Sequence, residues 1–94
     1  MMAYNIKSTF TFEAPKNRNE LWGLQNEGEA TLAPLLAQLI AEGKTDGEFY
    51  RLDDYSGYRL FSDRASAESW QAALSQNIIE FGNRTDFIKT IEEL

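Results

Sequence analysis

The second half of the chain most constrains the fold, because two short aromatic runs are followed at once by one long amphipathic helix. Glu48 to Leu52 and Tyr58 to Ser62 are rich in aromatic and apolar residues, and a five-residue loop with Gly57 joins them. This pattern predicts a β-hairpin. From Arg64 to Phe81 the apolar residues recur at helical spacing. Two strands and a helix in immediate succession are typical of an α+β domain.

The long helix has a clear apolar stripe and a clear beginning. The stripe consists of Ala67, Trp70, Leu74, Ile78 and Phe81. Ser62 or Asp63 can cap the first turn, and Gly82 suits the last one. On the opposite side, Glu68, Gln71 and Ser75 are expected to point to water.

Two further elements precede the hairpin. Tyr4 to Phe12 alternates apolar and polar residues with the period of two that a half-buried strand requires. From Thr31 a second helix is predicted, because Leu32, Leu35, Leu36, Leu39 and Ile40 form an apolar stripe. Thr31 would cap this helix, Pro34 fits its first turn, and Gly43 would end it.

Two segments are ambiguous. Arg18 to Ala30 contains Trp22 and two glycines that each weaken a helix by roughly 1 kcal/mol, so it is either a broken helix or an irregular lead-in. Thr85 to Leu94 satisfies helical spacing but is rich in β-branched residues. We interpret it as a fourth strand, because a sheet that is partly apolar on both faces needs another strand more than a third helix.

The predicted order is therefore β-α-β-β-α-β, within a single domain over residues 1–94. This is the ferredoxin-like plan, in which two helices lie on one face of an antiparallel sheet. The other face is left open.

The passage from Tyr58 to Trp70 resembles the strand and helix of the dimeric α/β-barrel superfamily, which includes the antibiotic-biosynthesis monooxygenase-like proteins. Ala67 and Trp70 are three residues apart on the helix, as in that family, and the length and element order also agree. The resemblance implies that two protomers pack sheet face to sheet face. Many members act on small aromatic or haem-like molecules without a classical cofactor. The histidine that the family often carries is missing, and Arg18 to Ala30 has no counterpart.

Composition narrows the possible functions. Fifteen acidic against nine basic residues give a net charge of −6, which argues against nucleic-acid binding. The chain has neither cysteine nor histidine, so disulfides, thiolate or imidazole metal sites and the usual nucleophile-base pairs are excluded, and no cofactor or metal is expected. No export signal or membrane-spanning run is apparent, and a cytoplasmic location is the default expectation.

Candidate binding residues follow from the register of the hairpin. If Leu52 opposes Tyr58, then Tyr50, Leu52, Tyr58 and Leu60 share one face and Phe49, Arg51, Arg59 and Phe61 share the other. The two arginines between aromatic rings could form an anion-binding floor between protomers, although the favoured interpretation is that they pair with acids across a dimer interface or lie exposed beside the sheet. The candidate ligand-binding set is Trp22, Tyr50, Arg51, Arg59 and Phe61.

Two functions remain open. The favoured one is a non-enzymatic homo-oligomer, most simply a homodimer, in which the open sheet face makes the subunit contact and the acidic surface meets another protein. The alternative is a cofactor-independent monooxygenase-like enzyme or a binder of small aromatic or anionic molecules. RNA binding on the sheet is disfavoured, because Tyr58 to Phe61 lacks the glycine and aromatic spacing of RNA-recognition motifs.

Overall fold

The computed structural model describes residues 4–13, 26–53, 55–82 and 85–94, with the backbone alone at 81 and 82. Along the chain the elements are β1 (Ile6–Phe12), α1 (described over 26–31), α2 (Ala33–Ala41), β2 (Tyr50–Arg51), β3 (Ser56–Phe61), α3 (Arg64–Gly82) and β4 (Phe87–Glu93). The strands form one antiparallel sheet in the order β2-β3-β1-β4. An α+β domain with an antiparallel sheet is therefore confirmed, and the arrangement is compatible with a ferredoxin-like fold.

The core lies between the sheet and α3. Alternate residues of β1 are buried, which confirms the predicted period of two, although the strand begins at Ile6 rather than Tyr4. Four residues of the predicted α3 stripe, Ala67, Trp70, Leu74 and Ile78, pack on these residues and on Phe61 of β3, and α2 adds Leu39. The side chain of Phe81, the fifth, lies outside the described residues. The apolar core residues are Ile6, Phe10, Phe12, Leu39, Phe61, Ala67, Trp70, Leu74 and Ile78.

The first helical region differs from the prediction, because two segments replace one helix. Residues 26–31 are helical, a turn follows at Leu32, and α2 begins at Ala33 with a proline in its first turn. The predicted cap at Thr31 is wrong: Leu32 is the N-cap residue, and the Thr31 hydroxyl donates back to the Glu27 carbonyl oxygen at 3.0 Å. Gly43 follows α2 with φ of 72°, as its predicted role requires.

The hairpin is shorter on one side than predicted and pairs two residues out of the predicted register. Tyr50, not Leu52, opposes Tyr58. A shift of two residues preserves the faces, so Tyr50 and Tyr58 do share one side of the sheet. The Asp53 carboxylate closes the turn by accepting the backbone N–H of Tyr55 at 2.7 Å and that of Ser56 at 2.8 Å. The Tyr55 hydrogen bond is the main cause of the lowered pKa of Asp53.

α3 agrees with the predicted boundaries to within one residue and is capped by Asp63. The Asp63 carboxylate accepts the Ser66 backbone N–H at 2.7 Å. The expectation that Gln71 and Ser75 point to water is wrong, because both are buried. Gln71 Nε2 donates to the Ser8 hydroxyl at 3.3 Å and to the Thr90 carbonyl oxygen at 3.0 Å, so its amide bridges two strands.

The final segment is a strand, as predicted. Seven residues of β4 pair with β1 over its whole length. Phe87 stacks on Phe10 with ring centroids 5.3 Å apart, which ties β4 to the core.

We predict that the Asp63 cap contributes to stability in a pH-dependent way. The pKa of Asp63 is lowered, chiefly by the Ser66 backbone hydrogen bond and also by Lys44. Asp63→Ala should reduce the free energy of unfolding by about 1 kcal/mol at pH 7. The contribution should be complete above about pH 4, the ordinary pKa of aspartate, and be lost as the pH falls through the lowered pKa.

Urea denaturation at pH 7 and at pH 2.5 measures this difference. Asp63→Asn is the control, since its amide oxygen can still accept the Ser66 N–H, and it should recover part of the loss. An Asp63→Ala variant as stable as the parent chain at pH 7 would contradict the capping role.

Candidate functional site

One face of the sheet is covered by α3, and the other is here called the open face. Residues that oppose one another across paired strands share a face, so the register assigns every strand residue. The open face consists of Lys7, Thr9, Thr11, Tyr50, Ser56, Tyr58, Leu60, Ile88, Thr90 and Glu92. None of the helices among the described residues contributes to it.

Two stacked tyrosines dominate the β2 side of the open face. The rings of Tyr50 and Tyr58 are 5.0 Å apart and inclined by 15°. Lys7 Nζ lies 4.6 Å from the centre of the Tyr58 ring, within cation-π distance. The Tyr50 hydroxyl donates to Asp46 Oδ2 at 2.9 Å, and this hydrogen bond is the main reason why the pKa of Tyr50 is raised. The rings are thus held in place before any partner binds.

Large apolar side chains extend the open face towards both of its edges. Ile88 is 50% exposed on β4. By strand alternation Leu52 continues the row of Tyr50, and Leu94 continues the row of Glu92, and these two are 51% and 68% exposed. Half of the six large hydrophobic residues exposed among the described ones therefore lie on or beside one face. Grouped apolar exposure of this kind marks interaction surfaces.

The open face is electrically neutral, although the chain is strongly acidic. Its only charged strand residues are Lys7 and Glu92, which oppose each other across β1 and β4. The whole chain carries −6. Two copies therefore repel each other less through this face than through the rest of the surface.

Arg59 lies on the helix-covered face and is almost fully buried, with 4% of its surface exposed. Its guanidinium carbon is 5.5 Å from the Phe49 ring centre and 5.1 Å from that of Trp70, so the cation lies between two aromatic rings. Nη2 pairs with Glu29 Oε1 of α1 at 2.8 Å, and Nη1 donates to the Gly47 carbonyl oxygen at 3.2 Å. Nε is buried and has no hydrogen-bond partner among the described residues.

A small cleft lies beside this arginine. Its lining is mostly apolar and consists of Ser8, Phe10, Phe49, Gly57, Tyr58, Arg59, Trp70 and Leu74. It has room for about one water molecule. Ligand sites for small molecules usually begin near 300 Å³, so the cleft would have to widen to hold one.

The predicted binding residues do not form one surface. Tyr50 is on the open face, whereas Arg59 and Phe61 are under α3, and Phe61 is completely buried. Arg51 is exposed, and its Nε donates to the Asp53 carbonyl oxygen at 3.2 Å. Trp22 lies outside the described residues. Arg59 and Phe61 thus do not contribute to an anion-binding floor between protomers. Their own helix covers both residues, and Arg59 pairs with Glu29 of the same chain.

Sequence reasoning missed two features of the Arg59 environment. Glu29 falls in the segment that gave no clear pattern, so its pairing with Arg59 had no signal in the sequence. The sequence predicts Gly57 in a turn, but it lies within β3, where a Cβ would collide with Phe49 Cζ. The glycine therefore makes room for the ring that covers Arg59.

Comparison with protein-family models, with curated proteins and with solved structures finds no match for this chain. None of the described helices is long and apolar enough to cross a membrane. Over the same residues, no group of three acidic side chains is arranged to hold a metal ion.

We predict that Gly57→Ala reduces the free energy of unfolding by about 1–3 kcal/mol, because the new methyl group collides with the Phe49 ring. Chemical denaturation measures the loss. Phe49→Leu, which shortens the side chain, should cost less in the Gly57→Ala background than in the parent chain. Equal costs in both backgrounds would show that the two residues do not collide.

Proposed function

We propose that this chain is a non-enzymatic, homodimeric protein-interaction module in which the open face forms the subunit contact. The observation that carries the proposal is the composition of that face: stacked tyrosines, Leu60 and exposed Ile88 surround a row of threonines, with no net charge. Aromatic enrichment and depletion of charge are what distinguish the centre of a protein interface from ordinary surface.

A second copy fits this face better than a charged partner does. The face carries one positive and one negative side chain, so a two-fold arrangement can bring Lys7 of one copy near Glu92 of the other. A strongly basic or acidic partner would find no complementary charge here.

The rest of the surface suits a second kind of protein. Six more acidic than basic residues lie outside the neutral face, which favours contact with a partner of basic surface and faster encounter at low salt. The proposal therefore has two parts, a neutral face for self-association and an acidic remainder for another protein.

At the level of fold, we infer a ferredoxin-like domain that dimerises as the dimeric α/β-barrel proteins do. The support is that β1 lies between β3 and β4, that all neighbours are antiparallel, and that α2 and α3 contribute to one core. Two such sheets packed face to face would bury the open face of each copy.

We predict that Leu52→Glu weakens dimerisation at least tenfold with little change in stability. Leu52 is half exposed, so the fold tolerates a charge there, but the same charge inside an interface must be desolvated. Ile79→Glu is the matched control, because Ile79 is 43% exposed on α3, on the other side of the sheet.

Analytical ultracentrifugation gives the dissociation constants, and thermal melting checks the fold. The Ile79→Glu variant should dimerise like the parent chain. A parent chain that stays monomeric at millimolar concentration, or equal effects of the two substitutions, would refute the open face as the contact.

A second candidate function is the binding of a small aromatic or anionic ligand beside Arg59. One observation favours it: within the described part of the chain, Nε of Arg59 is a buried donor without a partner, next to a cleft lined by aromatic rings. A buried unpaired donor is costly, and an acceptor on a ligand would remove that cost. The cleft must widen for such a ligand, which links binding to movement of Phe49 or Trp70.

For this second function we predict that benzoate shifts the ¹⁵N–¹H resonance of Arg59 Nε in a saturable way. Benzamide, which has the same ring without the charge, should bind more weakly because only the carboxylate forms a charge-assisted hydrogen bond. NMR titration at millimolar concentrations measures both. If benzoate, phosphate and benzamide all leave the Nε resonance unchanged, Arg59 has a structural role.

A further inference from the structure

β4 is an edge strand with a free outer side in the described part of the chain. The backbone N–H of Leu94 donates to the Asn5 carbonyl oxygen, and that of Glu13 donates to the Asp86 carbonyl oxygen. In an antiparallel ladder this alternation directs the even-numbered residues of β4 towards β1. The N–H and C=O groups of Phe87, Lys89, Ile91 and Glu93 therefore point away from the sheet.

The two edges of the sheet are unequal. β2 at the other edge has only two residues, which is one way in which proteins protect an edge. β4 has seven residues and contains no proline. An edge of this length is a template for another strand.

The side chains of β4 complement a second copy of β4 in one register. In such a pair, residues whose backbone N–H and C=O groups point outward must lie opposite one another. The two-fold axis that relates the two copies therefore passes through a residue of the strand. When that residue is Ile91, Lys89 faces the partner's Glu93 and Ile88 faces the partner's Leu94. Opposite charges then meet on one face of the sheet, and two exposed apolar side chains meet on the other.

Neighbouring registers lack this complementarity. An axis through Thr90 places Ile88 against the partner's Glu92 and Lys89 against the partner's Ile91. An axis through Lys89 or through Glu92 places two like charges directly opposite each other, which is destabilising. The sequence of the strand thus selects the register centred on Ile91.

We propose that β4 pairs antiparallel with β4 of a second copy, centred on Ile91, to give one continuous eight-stranded sheet. This contact goes beyond the proposed function and is independent of it, because it uses the edge of the sheet rather than its face. Lys89 and Glu93 are the specificity-determining charges of the contact.

These two charges cannot satisfy each other within one chain. They are four residues apart on an extended strand, which separates them by about 13 Å. Among the described residues neither of them has an ion-pair partner. Any mutual dependence of Lys89 and Glu93 must therefore arise between two copies.

Charge reversal tests the pairing in the full chain. Lys89→Glu and Glu93→Lys should each weaken the contact about tenfold, because each places like charges opposite one another twice in the symmetric pair. The double variant Lys89→Glu/Glu93→Lys should return to within about twofold of the parent. Lys89→Glu/Glu42→Lys has the same net charge but should not recover, since Glu42 lies at the end of α2.

These dissociation constants are measured by analytical ultracentrifugation in the Leu52→Glu background, in which the open-face contact is expected to be at least tenfold weaker. If the open-face contact is lost but the charge-reversal variants still follow the expected pattern, the edge pairing stands. If the open-face contact is present but the charge-reversal pattern is missing, only the edge pairing is overturned. A double variant as weak as either single variant, or four variants all equal to the parent, would show that Lys89 and Glu93 only protect the edge.

Cross-linking tests the register, and the chain is suited to it because it contains no cysteine. Across the axis, Ile91 would face itself with Cα atoms about 5.5 Å apart, within disulfide range. The two copies of Thr90 would be diagonal neighbours at about 7–8 Å. Ile91→Cys should thus form dimers at least tenfold faster than Thr90→Cys under mild oxidation. Faster cross-linking of Thr90→Cys, or none by either, would overturn the proposed register.

Discussion

The packing of α3 on one side of the sheet is the interaction on which the rest of the structure depends. Trp70, Phe61 and Ile78 are completely buried or nearly so at this contact, and each is worth about 1.5–3 kcal/mol of transfer free energy or more. One long helix and two short segments cover only one face of four strands. The apolar strand residues that alternate with the buried ones then lie on the other face, so the position of α3 decides which face the described helices leave uncovered.

For a core, the contact between α3 and the sheet contains unusually many polar side chains. Arg59, Gln71 and Ser8 are all buried between α3 and the sheet. The Gln71 amide donates to groups of two strands. Arg59 contacts an acid, a carbonyl group and two aromatic rings, while its Nε has no partner in the region that the structure describes. Such groups add little net stability, because desolvation offsets the interactions they gain. Gln71 does restrict the position of α3, since sliding the helix by one turn would separate its amide from Ser8 and Thr90.

Local sequence patterns predicted the helices and strands well. They could not predict features that depend on residues remote in sequence. β-branched residues correctly indicated β4, and the period of two gave the faces of β1. The faces of the hairpin were predicted correctly despite the error in register, because Tyr50 and Tyr58 stay on one side when the shift is two residues. Which face α3 covers was not predictable, since both faces carry aromatic residues. Gln71 was assigned to solvent because its partners, Ser8 and Thr90, are remote in sequence. The predicted cap at Thr31 was wrong because residues 26–31, in a segment whose glycines weakened the helical pattern, are themselves helical.

The two proposed contacts, through the open face and through the β4 edge, are geometrically compatible. Antiparallel pairing of two β4 strands uses a two-fold axis perpendicular to the sheet, so both open faces point the same way and merge into one surface. Packing of two open faces uses an axis parallel to the sheet. If the two perpendicular two-fold axes intersect, the assembly closes at four copies. If they do not intersect, it extends into an open filament. Ile88 and Leu94 lie where the two contacts meet, because edge pairing brings them together on the open face. Bringing these two side chains side by side would therefore enlarge the continuous apolar surface that the face contact can cover, and the two associations would reinforce each other.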